Sequence, residues 1–248
     1  MTIIPISAFN DNYIWLLIND KHQCVCIDPG DAAPVISYLN KHQLKLTDIL
    51  ITHHHYDHIG GVEKLIKNYN YVNVYGPIDE RMPQVTKPLI EGDVISIYDL
   101  DFQILSIPGH TSSHIAYYCP ASPMIFCGDT LFSAGCGRVF DGTMDDLFRS
   151  IQKITCLPDT TKIYCAHEYT LNNCIFAQTI EPDNKLLISK INYLNNRPGE
   201  CSLPSTLATE KQINPFVRAV VQTLRSKYSD HLSAYDSFKT LRHLKDKF

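Results

Sequence analysis

The stretch ILITHHHYDHIGG, residues 49–61, contains four histidines and one aspartate within six positions. The apolar run before the cluster predicts a short β-strand over residues 48–52. A glycine pair follows the cluster, and a helical pattern begins at Val62. The histidines therefore fall on a loop just beyond a strand end. Imidazole rings have only an intermediate preference for protein interiors, so their concentration on this loop indicates a function rather than packing.

The spacing within this loop predicts which side chains share a cavity. Residues two apart in an extended segment point the same way, so His53 and His55 should face one side and His54 the other. Asp57 and His58 follow where the chain turns into the helix, and they can face the same cavity from another angle. Nitrogen and oxygen donors of this kind bind divalent metals, so the motif predicts a metal site.

Three further predicted strands end in the same way. FQILSIPGH ends with His110, MIFCGD with Asp129 and KIYCAH with His167. Sites on open α/β sheets lie at the carboxyl ends of strands, so we expect these side chains to converge on the histidine loop. One metal ion needs three or four protein ligands, and this larger set predicts two ions. The candidate ligands are His53, His55, Asp57, His58, His110, Asp129 and His167.

The composition sets bounds on fold and partners. The 248 residues are 44% hydrophobic and 19% charged, which is typical of a globular chain that can bury a sizeable core. The net charge of −4 argues against general binding to nucleic acid or membrane surfaces. The first twenty residues have no basic region and no apolar run of membrane-spanning length, so we expect a cytoplasmic protein. The nine cysteines form no CxxC pair, which is typical of reduced core thiols.

The pattern of apolar residues changes along the chain. Up to about Thr170, short β-type runs alternate with turns and helical patterns, one of them over residues 31–43 behind a predicted Asp31 cap. Beyond this point helical spacing dominates, as in residues 173–181, 185–196 and 214–227. We therefore predict an α/β domain over residues 1–170 and a smaller helical domain over residues 171–248.

Several motifs resemble a known superfamily. THHHYDH matches the T-H-x-H-x-D-H signature of the metallo-β-lactamase superfamily, and CIDPGDA, PGHTSSH, FCGDTLF and CAHEYT occur in that superfamily's order. SAGCGRVFDGT and the terminal LRHLKDKF resemble glyoxalase II, the hydroxyacylglutathione hydrolases. The resemblance covers nearly the whole chain. Two positions depart from the family pattern, because Ser113 stands where glycine is frequent and Phe140 where tyrosine is frequent.

The resemblance implies a fold and a metal centre. The fold would be α/β, a four-layer αβ/βα sandwich of the metallo-β-lactamase type, with a smaller C-terminal helical domain. The resemblance implies a binuclear centre, in which Asp129 would bridge the two ions. Zinc is the expected metal, while iron and manganese stay open because nitrogen and oxygen ligands select weakly among them. One ion would be bound by His53, His55 and His110, and the other by Asp57, His58 and His167.

The resemblance also implies an activity. S-D-lactoylglutathione and related S-2-hydroxyacylglutathiones would be hydrolysed to D-lactate and glutathione by a metal-bound hydroxide, in methylglyoxal detoxification. Asp57 would help to orient that hydroxide. The thiolate product leaves without prior protonation, which reduces the need for a general acid. The small glutathione thioester would be the only partner of a monomeric enzyme, without nucleic acid or membrane. The implied substrate contacts are Arg138, Phe140, Tyr169, Arg242 and Lys245.

Two other classes of function stay open. The first is another enzyme of the same fold, such as a lactonase, a β-lactamase, a nucleic-acid phosphodiesterase or a mononuclear-iron sulfur dioxygenase. The basic C-terminal segment and the GCGR loop argue against these. The second is a non-catalytic module with a structural metal, but structural zinc sites are usually closed and rich in cysteine. Without the resemblance, Arg242 and Lys245 would be interpreted as a solvated helix face.

Overall fold

The computed structural model describes residues 1–224, 226 and 228–248. Its strands are β1 (Thr2–Ala8), β2 (Asn12–Ile18), β3 (Gln23–Ile27), β4 (Lys45–Leu50), β5 (Asn73–Pro77), β6 (Lys87–Leu89), β7 (Val94–Ile97), β8 (Leu100–Ser106), β9 (Ile115–Cys119), β10 (Met124–Gly128), β11 (Leu131–Phe132), β12 (Gly135–Cys136), β13 (Lys162–Cys165) and β14 (Ser205–Thr206). Its helices are α1 (Ala32–His42), α2 (Tyr56–Ile59), α3 (Val62–Asn68), α4 (Met144–Thr155), α5 (Thr170–Ile180), α6 (Lys185–Asn195), α7 (Leu207–Ile213), α8 (Pro215–Val220) and α9 (Ala234–Asp246).

Two six-stranded mixed sheets form the centre of the protein. The first has the order β1-β2-β3-β4-β5-β6, antiparallel from β1 to β3 and parallel from β3 to β6. The second has the order β14-β13-β10-β9-β8-β7, in which only β10 and β13 pair in parallel. Since β9 is antiparallel to both β8 and β10, the strands β8, β10 and β13 run in the same direction.

Alternating side chains of β2 show that both faces of the first sheet are buried. Ile14 and Leu16 pack in one buried cluster with residues of α1 and α3. Trp15 and Leu17 belong to the other large cluster, which includes Phe126 of the second sheet. A period of two with both sets buried means that both faces of the sheet are covered. The four-layer αβ/βα sandwich predicted from the sequence is therefore confirmed.

One stretch with helical spacing is only partly helical in the structure. Of residues 214–227, α8 covers only the first half. Gln222 adopts a left-handed backbone conformation with φ of 56°, which cannot continue a right-handed helix. The prediction also included Arg225 and Lys227, which lie outside the described residues.

The sequence pattern did not reveal the very short strands, because two or three residues are too few to show the alternation of apolar and polar side chains. The most consequential is β14, which lies in the segment expected to be helical and pairs with β13 through Ser205 and Thr206. This pairing fastens the helical segment to the second sheet, beside the strand that ends just before His167. No helix among the described residues is long and apolar enough to cross a bilayer.

Candidate active site

Four strands bring polar side chains to one edge of the sandwich. His53 follows the end of β4, and His110 follows the end of β8. Asp129 comes directly after β10, and His167 lies two residues after β13. The sequence pattern predicted these strand ends. The fold then places the four loops against each other.

The seven candidate ligands form three overlapping groups whose donor atoms lie within 4.8 Å of one another. Asp129 lies between the groups: its Oδ1 is 3.4 Å from His58 Nε2, and its Oδ2 is 3.5 Å from His110 Nε2 and 3.3 Å from His167 Nε2. The donor set is larger than the three or four protein ligands that a single zinc ion needs. The groups are His53, His55 and His110; His53, His58 and Asp129; and Asp57, His58 and His167.

His54 belongs to none of these groups. Its Nδ1 lies 3.8 Å from Asp79 Oδ2, on the other side of the loop, as strand alternation predicted. Asp79 also pairs with Arg81 and accepts a hydrogen bond from Ser113 Oγ at 2.6 Å. Ser113, one of the two departures from the family pattern, thus makes a contact that glycine could not make.

Two of the candidate ligand histidines are oriented through Thr52. His58 Nδ1 lies 3.0 Å from Asp28 Oδ2, and Asp28 accepts hydrogen bonds from the Thr52 amide at 2.8 Å and the Thr52 hydroxyl at 2.7 Å. His53 Nδ1 lies 3.0 Å from the same hydroxyl. Such outer partners fix both the ring and its tautomer, so Nε2 of each ring faces the cavity.

Two further rings are oriented by partners distant in the sequence. His167 Nδ1 lies 2.8 Å from Asp11 Oδ1, and His110 Nδ1 lies 2.9 Å from the carbonyl oxygen of Arg138. Each acceptor calls for a proton on Nδ1, which leaves the Nε2 lone pair for a metal. His110 Nε2 lies 3.0 Å from His55 Nδ1. His55 therefore presents Nδ1, rather than Nε2, to the same cavity.

The electrostatics of this cluster fit divalent metal ions. His53 Nε2 and Asp129 Oδ1 are buried, and neither makes a hydrogen bond within the described part of the chain. Burial lowers the pKa values of His53 and His110, which keeps these rings neutral as metal ligands must be. Burial also disfavours charge on His58, but the carboxylates of Asp129 and Asp28 outweigh it and raise its pKa to about 10. Lone pairs and carboxylates gathered in this way favour positive charge between them.

His114 packs against the candidate ligands from the protein interior. Its ring is fully buried, stacks on His53 with centroids 4.6 Å apart, and accepts a hydrogen bond from the Asp129 amide at Nε2, at 3.2 Å. Gly128, just before Asp129, has φ of 48°, and a Cβ there would lie 2.4 Å from the Thr52 hydroxyl. Only glycine allows the backbone to place the Asp129 carboxylate so close to the histidine loop.

A pocket of about 500 Å³ opens beside the cluster. The five residues predicted to contact substrate all line it: Arg138, Phe140, Tyr169, Arg242 and Lys245. A larger groove of about 1100 Å³ lies at the amino ends of β3, β10 and β13, and none of the predicted site residues lines it. The chemistry therefore belongs to the smaller pocket.

Two aromatic side chains form walls of this pocket near the ligands. The Phe140 ring centroid lies 5.1 Å from that of His55 and 5.2 Å from that of His110, and 63% of the residue is exposed. Tyr169 stacks on His167 with centroids 4.6 Å apart and an interplanar angle of 9°. Phe140 thus presents an apolar face to the pocket beside the metal cluster.

The cationic side chains that line the pocket differ in their contacts. Arg242 is only 2% exposed, and its Nη1 donates to the carbonyl oxygens of Cys136 at 2.7 Å and Gly137 at 3.3 Å. Its Nη2 lies 3.0 Å from Asp246 Oδ1. The interpretation of Arg242 as part of a solvated face is therefore wrong, because this helix face packs on the β12 loop.

Lys245 has no such partner. The residue is half-buried and its Nζ is buried; Nζ makes no hydrogen bond to any described residue and lies 5.1 Å and 4.8 Å from the ring centroids of Phe176 and Phe248. Burial, together with the charges of Arg242 and Arg138, lowers the pKa of Lys245 to about 8. A desolvated ammonium facing a pocket is a binding group for an anion.

Four residues of the site escaped the sequence interpretation: Asp11, Asn12, Asp28 and His114. Asp28 directly follows β3, which is parallel to β4, so the strand-end rule could have identified it. Asp11 lies in the turn between β1 and β2, and Asn12 is the first residue of β2; no ligand spacing marks either residue. They reach the cluster only because a bridge joins Asn12 to His167, just beyond β13.

Comparison with known proteins agrees with this geometry. Residues 10–167 match the family model of the metallo-β-lactamase superfamily, and residues 168–248 match that of the hydroxyacylglutathione hydrolase C-terminus. The chain belongs to the hydroxyacylglutathione hydrolase family of the metallo-β-lactamase superfamily. The family and the enzyme class predicted from the motifs are thereby confirmed.

Relatives of this family match along their whole length. The hydroxyacylglutathione hydrolase of Legionella pneumophila (strain Corby) is 51% identical over 254 residues, and that of Aliivibrio fischeri (strain MJ11) is 47% identical over 255 residues, each covering 100% of both chains. The crystal structure of ETHE1 from Myxococcus xanthus superposes with a TM-score of 0.71 and 24% identity, covering 98% of this chain and 91% of that one. At this identity the likeness to ETHE1 shows the fold alone.

Proposed function

We propose that this protein is a metal-dependent thioesterase that cleaves S-D-lactoylglutathione and related S-2-hydroxyacylglutathiones to D-lactate and glutathione, in methylglyoxal detoxification. The observation that carries the proposal is one pocket lined by two unlike sets of side chains. Five of the seven candidate metal ligands line it and form what we call its metal end, while Lys245, whose Nζ lacks a hydrogen bond within the described chain, lines the rest together with Arg138. The names of the relatives that match along the whole chain support the same substrate class.

For the metal end, we propose two divalent ions, zinc in preference to iron or manganese. When bound, they would lower the pKa of water to near neutrality and polarise the thioester carbonyl. Asp129 would be shared between the ions, because its two oxygens face different histidines. One ion would be held by His53, His55 and His110, and the other by Asp57, His58 and His167.

The protein residues at this end would orient the reactants. The Asp57 carboxylate faces the pocket, where it can accept a hydrogen bond from the attacking water and direct its lone pair at the carbonyl carbon. The Phe140 ring would cover one side of the acyl group and exclude bulk water there. The glutathione thiolate is a good leaving group, so the site needs no dedicated acid beside it.

For the other end, we propose that Lys245 and Arg138 bind the carboxylates of glutathione. The Arg138 side chain is 65% exposed and only loosely paired, with Nε 3.7 Å from Asp246 Oδ1, so it can turn to a ligand. Arg242, whose donors already bond to the β12 loop, would hold that loop in place beside the ligand. Tyr169 would contact the ligand between the two ends.

The two proposed domains would contribute different parts of the site. Residues 1–170 would carry the catalytic cluster, and residues 171–248 would supply Lys245 and the helix that positions it. We propose a monomer in the cytoplasm, with the thioester as the only partner.

Elemental analysis of metal-loaded protein together with a substrate panel tests the proposal. We expect close to two transition-metal ions per chain and hydrolysis of the glutathione thioester far faster than of a lactone or a phosphodiester. Chelation should abolish the activity while the far-ultraviolet circular dichroism is retained, and adding metal should restore it. A single ion per chain that does not rise on metal addition would contradict the binuclear centre. Preferred hydrolysis of a lactone or phosphodiester would contradict the thioesterase.

A further inference from the structure

Asn12, the first residue of β2, reaches the candidate metal ligands. Its side chain is buried, and its Nδ2 lies 2.9 Å from Asp57 Oδ2 and 3.4 Å from His167 Nε2. These two residues belong to the same ligand group, and they are separated from Asn12 by 45 and 155 positions in the sequence. One carboxamide therefore spans two side chains that the fold brings together from different sheets.

The orientation of this carboxamide follows from its neighbours. The Asp57 carboxylate is an acceptor, so the Asn12 NH₂ group and not its oxygen must face it. His167 carries its proton on Nδ1, toward Asp11, so its Nε2 presents a lone pair on the Asn12 side. The Asn12 NH₂ group therefore donates to Asp57 Oδ2 and lies beside His167 Nε2, whose lone pair stays directed at the metal cavity.

The backbone fixes this donor in space. The Tyr13 amide donates to the carbonyl oxygen of Ala166 at 2.7 Å, and the Glu168 amide donates to that of Asp11 at 2.8 Å. An isolated bridge also joins Asn12 to His167. The turn of the first sheet is therefore held against the end of β13 in the second sheet, and the Asn12 side chain needs no rearrangement to reach Asp57.

The two proposed metal sites differ in how their ligands are held in place. His53 and His110, of the first site, are held through Thr52 and through the carbonyl oxygen of Arg138. In the second site the Asp57 side chain is 38% exposed, so without a partner it would have conformational freedom to lose on binding metal. The Asn12 hydrogen bond removes part of that freedom in advance.

We propose that Asn12 is a positioning residue for one metal site only. Resting on the metal centre proposed above, its hydrogen bond holds Asp57 beside His167 in the ligand arrangement for the ion that both would share with His58. Loss of outer hydrogen bonds of this kind commonly weakens metal binding by about 10- to 100-fold. The affinity of the site formed by His53, His55 and His110 should not depend on Asn12.

The experiment compares metal affinities of the full-length protein and three variants. Asn12→Ala removes the carboxamide, and Asn12→Leu replaces it with an apolar side chain of the same branching that has no donors. Asn10→Ala, an exposed position in the turn just before β2, is the matched control. Both zinc dissociation constants are measured by competition with a chromophoric chelator. Thermal unfolding of each metal-free protein reports on the fold.

For both Asn12 variants we expect one ion to bind with wild-type affinity and the other about 10- to 100-fold more weakly, with Asn10→Ala unchanged. Two wild-type affinities in Asn12→Leu would overturn the inference and leave the metal centre intact. Equal weakening of both ions would also overturn it, because it would indicate a general structural role. A wild-type protein that binds fewer than two ions would instead contradict the proposed function, whatever the variants do.

Discussion

The two ends of the pocket are built in opposite ways. At the metal end, four of the ligand histidines have their second nitrogen held by a named partner, and the Asp129 carboxylate is buried between them. At the other end, Lys245 Nζ lacks a hydrogen bond within the described chain, and Arg138 is mostly exposed. The side chains at the metal end are held in place before a ligand binds. Lys245 and Arg138, at the other end, stay available for a ligand.

This difference matches what each end must do. A reaction centre gains rate from groups that are already placed where charge develops, because no reorganisation is then needed. A recognition site binds the unreacting part of the substrate about equally in the ground state and the transition state, which affects KM more than kcat. Substitutions at the two ends should therefore differ in kind as well as in size.

The largest effect is expected at the metal end. Asp57→Ala removes a candidate ligand and the acceptor that orients the attacking water, so kcat should fall by roughly 100- to 10,000-fold, corresponding to several kcal/mol of transition-state stabilisation. His53→Ala should lose bound metal and activity together. Steady-state kinetics and elemental analysis on the same samples measure both.

His54→Ala is the matched control for His53→Ala, since the two rings are adjacent in sequence but face opposite sides of the loop. It should keep most of the metal and most of the activity. If His54→Ala were the more damaging of the two, the assignment of ligands within the histidine run would be wrong.

A smaller effect, confined to binding, is expected for Lys245→Ala. Losing one charge-assisted hydrogen bond of about 1.5–3 kcal/mol should raise KM for the glutathione thioester about 10- to 100-fold with little change in kcat. A simple thioester without glutathione should be hydrolysed almost normally. Lys247→Ala, an exposed lysine two residues away, is the control. Equal impairment on both substrates would mean that Lys245 supports the fold rather than the ligand.

Arg242→Ala should behave unlike Lys245→Ala, although the two residues are three apart on α9. It leaves the carbonyl oxygens of Cys136 and Gly137 without their donor, so we expect a loss of about 1–3 kcal/mol in unfolding free energy. Both substrates should be affected, because the loop beside the pocket would shift. Urea denaturation and the two-substrate comparison test this. An unchanged unfolding midpoint with a defect on the glutathione substrate alone would place Arg242 in direct contact with ligand.

The smallest expected effect is a pH dependence of recognition. The pKa of Lys245 is lowered to about 8, so the free enzyme carries the ammonium below pH 8 and loses it above. KM for the glutathione thioester should therefore rise by about tenfold between pH 7 and pH 9, since about one chain in eleven keeps the proton at pH 9. Lys245→Arg, which stays charged, should remove this Lys245-dependent rise. A rise of the same size in Lys245→Arg would assign the dependence to another group.

Sequence alone determined the fold class, the family and the location of the candidate ligands. The reason is local: a strand end followed by His53, His110, Asp129 or His167 is visible within a few residues, and strand direction decides where such ends meet. Alternation within three consecutive histidines was also sufficient to separate His54 from its neighbours.

Only the tertiary structure decided which groups hold those ligands and which stay free. Asn12 and Asp57 are 45 residues apart, Asp11 and His167 are 156 apart, and Arg242 and the Cys136 carbonyl are 106 apart. No periodicity links residues across such distances. Whether a cation on α9 bonds to a backbone carbonyl or faces an open pocket depends on how two separately folded layers meet. For that reason the sequence predicted the same role for Arg242 and Lys245, whereas packing gives them different contacts.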